Sequence, residues 1–214
     1  MALIKSALEL ALEKTKDMKV DPAAIEAADL KADGKRAAGH FLDDPSSVDL
    51  QKELAKLPKD KRAHMKEGIA EVLSAQLQLP NGAGFEKKLE AIGRGYAALA
   101  ADAGILGGSL GGAMAEKKIQ ALFQQLEAFF KQYLSDMERA EQMVKKQLEP
   151  KIRQKEKEMS ERLGQDVRID PLMDPECASL YNQSLGVLRK QYDAQLTGAK
   201  AQLAELAGMH SKTE

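Results

Sequence analysis

An all-α fold, with a cluster of short N-terminal helices followed by a long antiparallel helical hairpin of coiled-coil-like character, is predicted by three observations. Apolar residues recur at steps of three and four in nearly every segment, and no window alternates convincingly like a strand. Ala, Leu, Lys, Glu and Gln, all good helix formers, dominate the composition. From Ala113 onward the periodic runs become much longer than any in the first hundred residues.

Residues 2–16 read as a short amphipathic helix, with Leu3, Ile4, Ala7, Leu8, Ala11 and Leu12 on one side and Lys5, Glu9 and Glu13 elsewhere. Asp21 followed by Pro22 is an N-cap with proline in the first turn, a start signal for a helix that runs to HFLDD. That helix stops before Pro45, because the residue preceding a proline resists the α conformation. A short helix lies within DDPSSVDLQKELAKLP and ends at Pro58. Another runs from Lys59 to about Leu79, with Met65, Ile69, Val72, Leu73 and Leu77 as its apolar stripe. LPNGAG is a turn, and a fifth helix runs from Phe85 into a glycine-rich stretch. These segments define an N-terminal unit, residues 1–103.

The second half, residues 113–214, is the hairpin. Its first helix carries Ile119, Leu122, Leu126, Phe129, Tyr133, Met137, Ala140, Val144 and Leu148. Leu126, Met137, Leu148 and Met159 recur at eleven, a period that favours nearly straight or slightly right-handed pairing. Pro150 is expected to kink this helix, since it cannot donate to the carbonyl four residues back. Gly164 stops it, and residues 164–174 connect to the last helix. Asp174 caps that helix, Pro175 starts it, and Tyr181, Tyr192 and Leu203 repeat the spacing of eleven. Residues 175–207 span about 50 Å at 1.5 Å per residue. Counted back from Leu163, they pair with the first helix as far as Lys131. Residues 113–130 are therefore expected to overhang, with Phe123, Phe129 and Phe130 packing on the N-terminal helices or on another subunit.

DAGILGGSLGGAMAEKK, residues 102–118, joins the two halves and crowds five glycines into 104–112. It is not a Walker loop: no Lys follows Gly111 or Gly112 directly, no Ser or Thr follows Lys117 or Lys118, and the preceding segment is helical. Gly104, Gly108 and Gly112 lie four apart and could form a smooth helical face for close packing. A membrane span is disfavoured. Asp102 costs about 3 kcal/mol on the insertion scale, and five large apolar residues at about −0.5 kcal/mol each do not offset it. Each glycine costs about 1 kcal/mol inside a helix, so the stretch is read as a joint.

Charge and reactive groups narrow the function further. Lys and Arg number 32 against 33 Asp and Glu, and the two halves are each almost neutral, which argues against a nucleic-acid partner. The lysine-rich run 145–159 interleaves acids and lies in a region without aromatics to stack on bases, so it reads as a solvated face. The first helix mixes Lys with Glu on its polar side, which disfavours a membrane-surface role. His40, His64 and His210 are scattered, and His40 near Asp43 and Asp44 reads as a helix end favoured by the dipole. Asp166, Asp170, Asp174 and Glu176 lack the calcium-loop pattern and read as caps and turn residues. A lone Cys177, in the first turn of a helix that could lower its pKa, reads as an ordinary partly buried thiol. One cysteine and no apparent leader fit the cytoplasm.

The expected function is a non-enzymatic protein-interaction module, an adaptor, scaffold or assembly factor, because the length goes into a projecting surface and not a reactive cleft. No cofactor or metal is implied. A protein partner or a homo-oligomer is expected, through Phe123, Phe129, Phe130, Gly104, Gly108 and Gly112. The alternatives are a small-ligand or metal-binding helical bundle, possibly an enzyme, and a membrane-associated glycine-zipper protein. Alanine scanning separates joint from packed face. If 104–112 is a joint, Gly108→Ala and Gly107→Ala both shift the melting temperature little. A packed face makes Gly108→Ala alone cost about 1–3 kcal/mol.

Overall fold

A computed structural model describes residues 21–105, 112–171 and 173–209. The expected helix over 2–16, Gly108 and His210 lie outside those residues. Six helices and no strand occupy the described chain: α1 (Pro22–Asp43), α2 (Leu50–Ala55), α3 (Lys59–Gln76), α4 (Glu86–Ile105), α5 (Gly112–Leu163) and α6 (Pro175–Leu206). The chain is all-α, and the local signals explain the starts. Asp21 accepts from the Ala23 N–H at 3.0 Å, Asp49 from Gln51 and Lys52, and Asp174 from Cys177 at 3.0 Å. Each carboxylate satisfies a first-turn donor that has no helical partner. Asp44 does the same job in a turn, accepting from the Ser46 backbone and hydroxyl.

The expected stripe of α3 is inside: Met65, Ile69 and Leu73 are buried, and Leu77 just beyond the helix is 1% exposed. What sets the position of α3 is not that stripe but two glycines. A Cβ on Gly34 of α1 would lie 2.2 Å from the Met65 carbonyl oxygen of α3. A Cβ on Gly68 of α3 would lie 2.1 Å from the Lys31 carbonyl oxygen of α1. The contact is reciprocal, so the two backbones touch at one crossing. The order of partners, Glu26 with Lys61, Lys31 with Glu67 and Lys35 with Glu71, makes the helices run parallel. α4 then packs through two further glycines, with Leu73 seated over Gly95 and the Phe123 ring over Gly93.

α5 and α6 form the antiparallel pair. The Tyr192 hydroxyl donates to Asp136 at 2.6 Å, and Lys155 bridges to Asp174 at 2.8 Å, so partners descend one helix as they ascend the other. α5 continues through Pro150, which is exposed between buried Leu148 and Ile152. Gly164 ends α5 at φ +67°, a conformation open to glycine without strain.

The register corrects the expected overhang. The connector does not turn straight into α6 at Leu163; it folds back along α5. Val167 N–H donates to the Ser160 hydroxyl, Ile169 N–H to Glu156, and Asp174 reaches Lys155. α6 therefore starts lower on α5, and its far end extends past Lys131 to lie beside Leu122, Leu126 and Phe129. The same slip leaves Met159 42% exposed, while Leu126 and Leu148 are buried and Met137 packs partly against the core.

One buried apolar cluster runs from Ala38 of α1 to Ala207 after α6, and a smaller one of Val144, Leu148, Ile152 and Cys177 lies farther out on the hairpin. The glycine crossing yields a direct expectation. Gly68→Ala forces its methyl into a backbone carbonyl that no rotamer change can move, and should cost at least about 1–3 kcal/mol. Gly39→Ala, in open space on the same α1 helix, should be neutral or slightly stabilising. Equal urea midpoints for the two variants would show that the helices separate without penalty.

Candidate functional site

Of the three phenylalanines expected to dock, Phe130 is buried and Phe123 and Phe129 are half-buried against the same core. Phe130 is 2% exposed and meets Phe85 edge-on at 5.4 Å; Phe123 tilts against Tyr96 at 6.1 Å. Phe129 turns the other way, onto Tyr192 of α6 at 5.1 Å, and Tyr192 also meets Tyr133. Aromatic contacts of this kind contribute roughly 0.5–1.5 kcal/mol each beyond area burial. Together they tie α4, α5 and α6 into one body. Burial and the Asp136 carboxylate push the Tyr192 hydroxyl up to about 12, so it stays a donor. Of the glycines, Gly104 lies in the last turn of α4 and Gly112 opens α5.

Asp102 is buried, 4% exposed, at the end of α4. Arg62 of α3 donates to its Oδ1 at 2.8 Å, and the same guanidinium donates to the Leu57 carbonyl at 2.9 Å. Lys66 lies 3.5 Å from Oδ2, in charge contact without hydrogen-bond geometry. Burial holds the Lys66 ammonium below its usual range, and Asp102 offsets part of that. One buried cation, Lys66, and one partly buried cation, Arg62, thus share one carboxylate. A charge so enclosed is costly to strand, so Asp102 pins the end of α4, and with it the entry to the glycine stretch, to α3. Its position directly after the apolar run 96–101 is visible in the sequence; its partners, 40 and 36 residues away, are not.

Reactive groups do not converge. Among the described residues no three His, Cys, Asp or Glu side chains are placed to hold a metal ion. His40 and His64 are exposed on different helices, and Asp44 is engaged by Ser46. Cys177 is fully buried beside Asp174, and burial first, then that carboxylate, push its thiol up, opposite to the lowering that a first-turn position could give. A groove of about 510 Å³ between α4 and α5 has Ile119 and Phe123 in its lining and Glu86, Glu90, Glu116 and Glu127 among its polar residues. Among the described residues no helix is long and apolar enough to cross a membrane.

The exposed apolar side chains are concentrated on the hairpin. At its free end Met159, Leu163 and Met173 are 42, 58 and 82% exposed. Their backbone is held firmly. Asp170 carbonyl accepts from Met173 N–H at 2.9 Å, and Lys155 clamps Asp174 and Glu176. Lys151 adds a second bond to Glu176. Asp174 is thus the expected cap, and with Glu176 it also clamps Lys155. The result is a fixed scaffold presenting flexible thioether side chains to solvent, a surface chemistry suited to adaptable apolar contact.

A helical body with a projecting antiparallel pair and no convergent reactive cluster among the described residues is the class these observations define. Residues 51–205 match a family of unknown function, DUF6657, and the chain belongs to that family. No curated protein and no solved structure matches it.

The clamp gives a pH expectation. Hydrogen bonds from Lys155 and from the Cys177 N–H hold the Asp174 carboxyl at about 2, below its ordinary 3.8. A depressed carboxyl stabilises the fold above the unfolded value and loses that contribution as pH falls through the folded one. Asp174→Asn keeps the cap but not the charge. The urea midpoints of wild type and variant should therefore differ near neutral pH and converge between about pH 4 and about pH 2. A difference that persists unchanged to pH 2 would refute the clamp.

Proposed function

We propose that this protein is a non-enzymatic interaction module, an adaptor or assembly factor, whose hairpin end engages an apolar surface of a protein partner. The observation that carries the reading is the exposure of Met159, Leu163 and Met173 on a backbone immobilised by the Lys155–Asp174–Glu176 clamp. Isolated exposed apolar residues are ordinary, but a cluster at the end of a projecting element marks a binding surface. Methionine adapts its shape to the partner at little cost. The near-neutral charge supports a protein partner over nucleic acid. A cytoplasmic location belongs to the same proposal and is supported by the lone, buried cysteine.

The test uses a photo-reactive residue at Met173 in the full chain, expressed in its native host. A discrete crosslinked protein should form, disappear with Met159→Asp, and persist with Ile25→Asp, a substitution at an equally exposed position on α1. Unchanged melting temperatures confirm that both variants fold. No discrete product, or one that Met159→Asp leaves intact, would remove the hairpin end as the site.

A further inference from the structure

A different face of the hairpin carries a second surface. On α6, Leu180, Ser184, Val187, Gln191, Gln195, Gly198 and Gln202 recur at steps of three and four, all are exposed, and none is charged. Arg189, Asp193 and Lys200 line the opposite side, toward Gln78 and Leu79, and Glu205 marks the end of the uncharged stripe. On the neighbouring α5 surface Ala121, Gln125, Ala128 and Gln132 are likewise exposed and uncharged. This face has both a projection and a recess. Leu180 and Val187 stand 37 and 55% exposed toward one end. Toward the other, a groove of about 350 Å³ is lined by Leu126, Phe129, Leu196 and Ala199 and flanked by Gly198 and Gln202. A Cβ on Gly198 would meet nothing within 4 Å, so the space above it is open.

We propose that a second copy of this chain covers this face, its α6 antiparallel to the first about a two-fold axis at Gln191. The stripe is symmetric about that residue. Reversal places Leu180 opposite Gln202, Ser184 opposite Gly198 and Val187 opposite Gln195. The projecting leucine of each copy then meets the open groove of the other, twice, as a closed two-fold contact requires. The α6 stripe carries no charge, so the two copies of it meet without like-charge repulsion. Each glutamine amide both donates and accepts, so Gln191 can pair with its own mate on the axis. A partner of another kind would need only the groove or only the projections; a copy of this chain uses both. The stripe from Leu180 to Gln202, 23 residues, is about 33 Å long, and two helices about 10 Å apart give a face roughly 20 Å wide. The pair would bury about 1,300 Å² in total, above the ~1,000 Å² expected of a specific interface.

Sedimentation equilibrium of the full chain at high micromolar concentration should give twice the 23.4 kDa chain mass. Gly198→Trp fills the groove without an intrachain clash and should yield monomer, as should Val187→Lys. Met159→Asp, at the hairpin end, should leave the mass unchanged, which separates this interface from the proposed partner site. Gln191→Cys should form a disulfide-linked dimer under mild oxidation; the natural Cys177 is 0% exposed and does not compete. A monomeric wild type overturns the proposal. So does a dimer that survives both Gly198→Trp and Val187→Lys and is not linked through residue 191, because it would use another face.

Discussion

At the crossing of α1 and α3 two helix backbones come closer than at any other glycine among the described residues. Gly34 and Gly68 each face a carbonyl oxygen of the other helix where a methyl group would overlap it. A glycine inside a helix forfeits about 1 kcal/mol of intrinsic helix stability, and here two do so. The compensation is backbone proximity, which brings Met65, Ile69 and Leu73 within reach of α1 and α4 and allows every later layer to close. Leu73 meets Gly95 of α4, and α4 in turn receives Phe123 of α5 at Gly93. Small residues thus set the spacing at each of three successive helix contacts.

Charge supplies what packing does not. The core is aliphatic, and aliphatic contacts slide. Asp102, held by Arg62 and Lys66 in a dry setting, fixes where α4 ends relative to α3. The Lys155 clamp does the same at the other extreme of the molecule, fixing where α6 begins relative to α5. Both are short of full satisfaction or partly open to water, so their contribution is one of register more than of net stability. The register has consequences. By starting α6 lower on α5, the folded-back connector bares Met159 and Leu163 at one end. It brings Leu196 and Ala199 beside Phe129 at the other, forming the groove that faces Gly198.

These two surfaces bear on function together. On the proposed reading, the methionine-bearing end serves a protein partner and the side with the uncharged α6 stripe serves a second copy of the chain. Neither depends on chemistry in a cleft. The exposed glutamines of α6 suit a contact that is specific without ion pairs, and the lysine-rich stretch of α5 is largely occupied by acids of α5, Glu141 with Lys145 and Glu149 with Arg153, and by Asp174 and Glu176 at the start of α6.

Local signals in the sequence were sufficient for the described helices, to within a few residues at their ends. Asp21, Asp49, Asp174 and Gly164 act within three or four residues of themselves, and the buried stripes follow from a period that any helix imposes. The aromatic residues of α5 were recognisable as packing residues because aromatics are scarce here and three fall within eight positions. What a residue meets across the fold was not legible. Phe129 and Phe130 differ by one position and by about 100°, so one joins α6 and the other Phe85, a division that only the helix orientation decides. Length counting failed for the hairpin because it assumed a connector that turns without doubling back. The glycine run at 104–112 drew notice by its density, whereas Gly34 and Gly68, single and unremarked in ordinary helical context, carry the close approach. The sequence by itself determined the secondary structure and the apolar faces, since these rest on interactions between near neighbours. The tertiary structure alone decided which faces meet, at what register, and which apolar residues are left in water, since those outcomes depend on contacts between residues dozens of positions apart.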